Sequence, residues 1–167
     1  VTEGRYVLTK IKIGDRTICV GSIYAPTGSK RPFLLNLNRI LTEVGSSHCL
    51  LGGDWNLAND AIMDRTGPVD LGNNADRALL KDIIEDHGLT DHWRLTHPTD
   101  KTYTYISAVH GTQSRIDYFL TSHRLTTTMQ DSRILEAALS DHAPILTSLH
   151  MDIASPGRKP WRMPIHR

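Results

Sequence analysis

The chain has 167 residues, 39% of them hydrophobic, which is enough for one domain with a buried core. Its 19 basic and 18 acidic residues leave a net charge of +1, which argues against a protein that coats nucleic acid by charge alone. No apolar run approaches the ~18 to 20 residues of a membrane span, and Cys19 and Cys49, both in apolar runs, read as reduced thiols of an intracellular protein, nuclear or cytoplasmic, rather than as a disulfide.

In chain order, Arg5 to Ile13 alternates with Val7, Thr9, Ile11 and Ile13 on one face, the pattern of a strand. Gly14-Asp15 is a turn signal, and Thr17 to Tyr24 is a largely apolar, β-branched run, so the two read as a hairpin with a buried second strand. Pro32 suits the first turn of a helix in which Phe33, Leu37, Ile40, Leu41 and Val44 recur at helical spacing, with Gly45 as its stop. His48 to Leu51 is a short strand broken by Gly52-Gly53, and Leu57 to Asn73 is a loop without period. Asn73 or Asn74 caps a second helix that turns Leu79, Leu80, Ile83 and Ile84 inward and stops at Gly88. After Pro98 four strands are expected: Thr102 to Ser107, Gln113 to Leu120, Arg133 to Ala138 and Ile145 to Met151. Residues 1–154 form the domain, and 155–167, with Pro156, Pro160, Pro164 and four of the basic residues, a linker or tail. Without those four, 15 basic residues face 18 acids, a balance of −3 for the body.

Three runs carry the chemistry: Gly52-Gly53-Asp54-Trp55-Asn56, Ser114-Arg115-Ile116-Asp117-Tyr118 and Ser140-Asp141-His142. Asp54 and Asn56 are two apart, so in extended backbone both side chains point the same way. A carboxylate can orient or deprotonate a water, and an amide can donate to a phosphate oxygen. The bland alternative is a polar turn using Asp and Asn for local backbone bonds. For Asp117 the bland alternative is an ion pair with Arg115, and for His142 a polar residue at a strand entry. The remaining histidines lack zinc spacing, and no glycine-rich nucleotide loop or nucleophile elbow is present.

The order and spacing of these runs resemble the endonuclease/exonuclease/phosphatase superfamily, the DNase I-like proteins. The resemblance is nearest to the endonuclease domains of non-LTR retrotransposons of the long-interspersed-element kind. It rests on Gly-Asp-x-Asn at Gly53 to Asn56, on Ser-Asp-His at Ser140 to His142, on Tyr24-Ala25-Pro26, on Tyr103-Thr104-Tyr105 and on Trp161-Arg162. It implies a four-layer α/β/β/α sandwich and magnesium-dependent, or manganese-dependent, hydrolysis of a phosphodiester in DNA. In that scheme Asp54 orients the water and Asn56 holds the phosphate. His142, its ring held by Asp117, stabilises or protonates the reacting group, and a carboxylate on one ring nitrogen selects the tautomer and leaves the other nitrogen for chemistry. Tyr24 assists, Thr104, Ser140 and Arg115 contact phosphate or DNA, and Asp141 lies near the metal. The hairpin from Ser107 to Ser114 lies beside the DNA minor groove, and a reverse transcriptase follows the tail.

The superfamily also holds magnesium with a glutamate on an early strand. Glu3, Glu43, Glu85 and Glu136 are the only glutamates, and none ends an apolar strand ahead of Tyr24. The domain is therefore expected to be incomplete at its N-terminus, with weakened metal binding and impaired catalysis. Two alternatives stand beside the DNA endonuclease: a phosphatase of the same superfamily acting on an inositol phosphate or lipid, and a non-catalytic remnant.

Overall fold

The structure is a computed structural model that describes residues 4–45, 47–68 and 70–151. Glu3 and the tail with Trp161 and Arg162 lie outside the described residues. Strands β1 (Tyr6–Ile13) and β2 (Arg16–Tyr24) form the expected hairpin. Helix α1 (Arg31–Val44) follows, then β3 (Cys49–Asp54). A 3₁₀ turn (Leu71–Asn73) leads into α2 (Asn74–Asp86), β4 (Leu89–Asp91) and α3 (His92–Thr96). The last third holds β5 (Tyr105–Ser107), β6 (Thr112–Ser114), β7 (Asp117–Ser122), α4 (His123–Thr126), β8 (Met129–Ile134) and β9 (Ile145–Leu149).

The main sheet has the order β1-β2-β3-β7-β4. β2 and β3 run parallel, joined across α1, whereas β7 is antiparallel to both β3 and β4. Two short ribbons, β5-β6 and β8-β9, complete the described strands. Alternation along the strands divides the side chains between two faces. Cys19 and Ile23 of β2, Cys49 and Leu51 of β3, and Tyr118 and Leu120 of β7 join Phe33, Leu37 and Leu41 of α1 and Leu80 and Ile83 of α2 in one core. On the opposite face Ile18, Leu50, Phe119 and Leu125 meet Leu149 and Met151. Side chains such as Leu37, Leu51, Leu80 and Leu120 are fully buried, and each contributes about 1.5 to 3 kcal/mol of hydrophobic stabilisation.

Helix α1 forms as its periodicity requires. Pro32 lies in the first turn, and Gly45, in the left-handed region at φ 57°, closes the end by donating its N–H to the Leu41 carbonyl. At the start of α2, Asn73 sits at the cap position, but its side-chain amide donates to Asp70 Oδ2 at 2.5 Å rather than capping the helix. Asp76 in its first turn accepts the backbone N–H of Lys30 at 3.0 Å, which ties the start of α1 to α2.

The glycine pair does not break β3. The strand runs through Gly52 and Gly53 to Asp54 because the neighbouring strands press on it there. A Cβ on Gly53, at φ 141°, would run into the Ile23 carbonyl of β2, and one on Gly52 would strike the Phe119 ring of β7. Other departures have equally local causes. The face of β1 bearing Val7 and Ile11 is the open one, at 68% and 42% exposure, while Tyr6 and Leu8 pack against the core. The strand expected from Gln113 to Leu120 is interrupted at Arg115-Ile116, where Arg115 turns inward to two aspartates. The strand expected at Arg133 to Ala138 begins earlier, at Met129, and ends at Ile134.

Candidate functional site

Register brings the candidate residues together. Tyr24 pairs with Asp54 across β2 and β3, and Asp54 pairs with Asp117 across β3 and β7. Paired residues project from the same face of a sheet, here the face opposite α1 and α2. Three adjacent strands therefore place a phenol and two carboxylates in one row, although the residues are 93 positions apart from first to last.

His142 arrives from the loop between β8 and β9. An isolated antiparallel bridge joins it to Tyr105, the Tyr105 and His142 rings lie 4.8 Å apart, and Ser140 Oγ accepts the His142 backbone N–H at 3.1 Å. Its Nδ1 stands 2.9 Å from Asp117 Oδ2. With Nδ1 as the donor, Nε2 is left as the other polar atom of the ring. Asp54, Asp117 and His142 can each turn one ligand atom to a common point, these atoms lying within 4.8 Å of one another. Among the described residues this is the group that can hold a metal ion, and no glutamate is in it.

Asn56 follows Asp54 in the left-handed region at φ 47°, which asparagine tolerates. Its backbone N–H donates to Asp54 Oδ1 at 2.8 Å, and its side-chain amide donates to the Ala25 carbonyl at 2.8 Å and to Asp54 Oδ2 at 3.0 Å. The expectation gave that amide to a phosphate. Here both of its N–H groups are spent inside the protein, so it is Asp54 that Asn56 holds. Burial pushes the Asp54 carboxyl above the usual range; the Asn56 backbone N–H works against this, and the Asp117 carboxylate adds to it. Tyr24 is half exposed, with the Arg5 guanidinium 5.2 Å above its ring.

Two expectations, those for Arg115 and Thr104, are corrected. Arg115 cannot contact DNA, because its side chain is 1% exposed and engaged within the fold. Its Nε and Nη2 donate to the two oxygens of Asp64 at 2.8 and 2.9 Å, Nη2 also reaches Asp91 at 2.6 Å, and Arg94 joins Asp64. Burial works against the Arg115 charge, but the Asp91 and Asp64 carboxylates outweigh it and hold the guanidinium protonated. Thr104 is not a phosphate contact: it is 1% exposed, and its hydroxyl oxygen accepts the backbone N–H groups of Ile116 and Asp117, both at 3.0 Å. Asp141 does not join the metal-competent group. It is exposed, its carboxylate accepts from Ser140 Oγ at 3.3 Å, and its carbonyl is fixed by the Ile106 N–H. Ser140 is exposed and bonds to its own loop.

Sequence reasoning missed Asp64, Asp91, Trp93 and Lys30. Asp64 and Asp91 lie 51 and 24 residues from Arg115, a separation at which no spacing rule operates. Trp93 sits under the Arg115 guanidinium, 5.0 Å from it. Lys30 is buried with its ammonium on the carbonyls of Gly28 and Thr27. Burial lowers its pKa, partly offset by the carboxylates of Asp76, Asp70 and Asp54.

Residues 18–146 match the family described as Endonuclease-reverse transcriptase. The chain is 33% identical over 159 residues to the transposon TX1 uncharacterized 149 kDa protein of Xenopus laevis, covering 92% of this chain and 12% of that one. Among solved structures, the Neisseria 3' phosphatase NExo bound to a product DNA hairpin matches with a TM-score of 0.75 at 21% identity, over 88% of this chain and 65% of that one. The endonuclease domain of TRAS1, a telomere-specific non-LTR retrotransposon, matches with a TM-score of 0.70 at 18% identity, over 89% and 64%. The Xenopus laevis APE2 catalytic domain matches with a TM-score of 0.71 at 26% identity, over 88% and 55%. The fold is therefore the DNase I-like α/β sandwich, and the chain spans about an eighth of the transposon protein and about two thirds of the first of these structures.

Proposed function

The chain belongs to the endonuclease–reverse transcriptase family, and from that premise we propose that it is the nuclease part of a retrotransposon protein, hydrolysing phosphodiesters of target DNA. The observation that carries this reading is the row of Tyr24, Asp54 and Asp117 with His142 closing on Asp117 at 2.9 Å. Two carboxylates and an imidazole facing one point fit a hard divalent cation, since magnesium is usually held by one or two protein carboxylates and completed by water and phosphate oxygens. Asp54 and Asp117 would hold it, and the bound ion would supply charge neutralisation at the phosphate and acidify a water.

The chain's own residues supply the rest. Asp54, fixed by two bonds from Asn56, orients the attacking water. His142, its Nδ1 proton held by Asp117, presents Nε2 to the phosphate or the leaving oxygen. The Tyr24 hydroxyl stands in the same row and assists at the phosphate. Ser140 shapes the His142 loop rather than meeting the substrate. DNA is the partner, a reverse transcriptase domain follows on the C-terminal side, magnesium or manganese is the cofactor, and the protein works in the nucleus or cytoplasm. Among the described residues no helix is long and apolar enough to cross a membrane.

The test is nicking of supercoiled plasmid by the purified chain in magnesium or manganese. Weak, cation-dependent nicking is expected, falling at least about a hundredfold in His142→Ala, the scale of removing one transition-state contact. Nicking that survives in both His142→Ala and Asp54→Ala overturns the proposal. A second reading, a non-catalytic remnant, is favoured by the lack of a glutamate in the described acidic group, and no nicking despite cation binding would select it.

A further inference from the structure

Thr104 occupies a singular place for a buried hydroxyl. The chain passes from β6 to β7 through Arg115-Ile116, and there the Ile116 and Asp117 N–H groups both turn to a single side-chain acceptor. One oxygen, Thr104 Oγ1, accepts both at 3.0 Å. The backbone of the same residue reaches elsewhere. The Thr104 N–H donates to the Ser114 carbonyl at 3.1 Å, and its carbonyl accepts the Ala143 N–H at 2.7 Å. The two residues that follow continue the connection: Tyr105 bridges to His142, and the Ile106 N–H donates to the Asp141 carbonyl at 3.1 Å.

Asp117 and His142 thus come from segments 25 residues apart, and the segment at Thr104 is bonded to both. Its side chain fixes the backbone from which the Asp117 carboxylate departs. Its carbonyl fixes the backbone one residue past the His142 imidazole. We infer that Thr104 is the positioning residue of the Asp117–His142 pair, setting their separation from behind while touching no substrate. This rests on the reading of that pair as reacting groups given above. The chemistry requires an acceptor at this point, because a methyl in place of the hydroxyl would leave two buried N–H groups unpaired. Pairing would be recovered by moving the turn, and Asp117 would move with it.

The full chain tests this in two ways. Ring ¹⁵N shifts of His142 report which nitrogen carries the proton. The native chain and Thr104→Ser should show one neutral tautomer, protonated on Nδ1, whereas Thr104→Val should show a mixture, as should Asp117→Asn. In plasmid nicking Thr104→Val should lower kcat about tenfold with KM unchanged, within the range that small misplacements of reacting groups produce, and Thr104→Ser should stay within about twofold. If Thr104→Val fails to fold, Thr104→Cys, with its weak sulfur acceptor, should give the intermediate tautomer mixture. A native His142 spectrum in Thr104→Val, or an effect confined to KM, overturns the inference and leaves the proposed function standing. An unchanged spectrum in Asp117→Asn overturns the pair itself and this inference with it.

Discussion

Asp54 holds its charge against burial. Burial raises its pKa, with the Asp117 carboxylate adding and the Asn56 N–H opposing. A carboxyl whose folded pKa lies above its unfolded value contributes full stability below the unfolded value, near 3.9, and that stability is lost as pH rises through the folded value. Asp54→Asn removes the charge, so its melting temperature should gain on the native chain as pH rises above about 4. Added magnesium should close that gap by supplying the missing positive charge. A gap that does not change with pH would show that Asp54 is not strained by its ionisation. Asp64 is fully buried between Arg115 and Arg94. Asp64→Asn leaves a buried guanidinium without its main partner and should cost about 3 to 5 kcal/mol, measured by urea unfolding. A cost below about 1 kcal/mol, the range of exposed ion pairs, would contradict the network's structural role.

At the scale of elements, β3 carries the site because it is squeezed between β2 and β7. Gly53→Ala should force β2 and β3 apart and cost several kcal/mol, as positions of incompatible φ and close backbone contact do. Gly14→Ala, at φ 62° in an open turn, should cost only about 1 kcal/mol. Equal costs in chemical denaturation would show that strand approach is not the constraint. The two glycines also show what a single strand's sequence conveals and what it reveals. Their spacing from Asp54 pointed to the site, but their reason for being glycine lies in Ile23 and Phe119, on other strands. Helix α1 was legible because Phe33, Leu37 and Leu41 recur at one-turn spacing and Gly45 marks the stop. β4 was not legible, since three residues establish no period, and α3 and α4 are too short to show one. For the site, the Ser-Asp-His and Gly-Asp-x-Asn runs pointed to Asp54 and His142 and to a partner at Asp117. Thr104 and Arg115 were given to the ligand because a local run displays a polar side chain without displaying its burial.

At the scale of the whole molecule, the two faces of the main sheet differ. One is covered by α1 and α2. On the other an open apolar groove of about 370 Å³ runs between Ile11, Ile13, Ile18, Val20, Leu50, Leu149 and Met151. Apolar surface of this kind promotes association. The chain should bind a hydrophobic dye, and Ile11→Lys, on the exposed edge strand, should weaken dye binding while leaving the melting temperature within about 2 °C, as expected of a surface change under ~0.5 kcal/mol. Unchanged dye binding would place the exposed surface elsewhere. The site stands on this same face, at the end of β2, β3 and β7, where residues from four separate stretches act as one unit. The most direct measurement of that unity is a double-mutant cycle in single-turnover plasmid nicking, with Asp117→Asn, His142→Ala and their combination. If Asp117 works partly through His142, Asp117→Asn should slow the His142→Ala variant by less than it slows the native chain. Losses that multiply, with the double variant slower by the product of the single effects, would contradict the account.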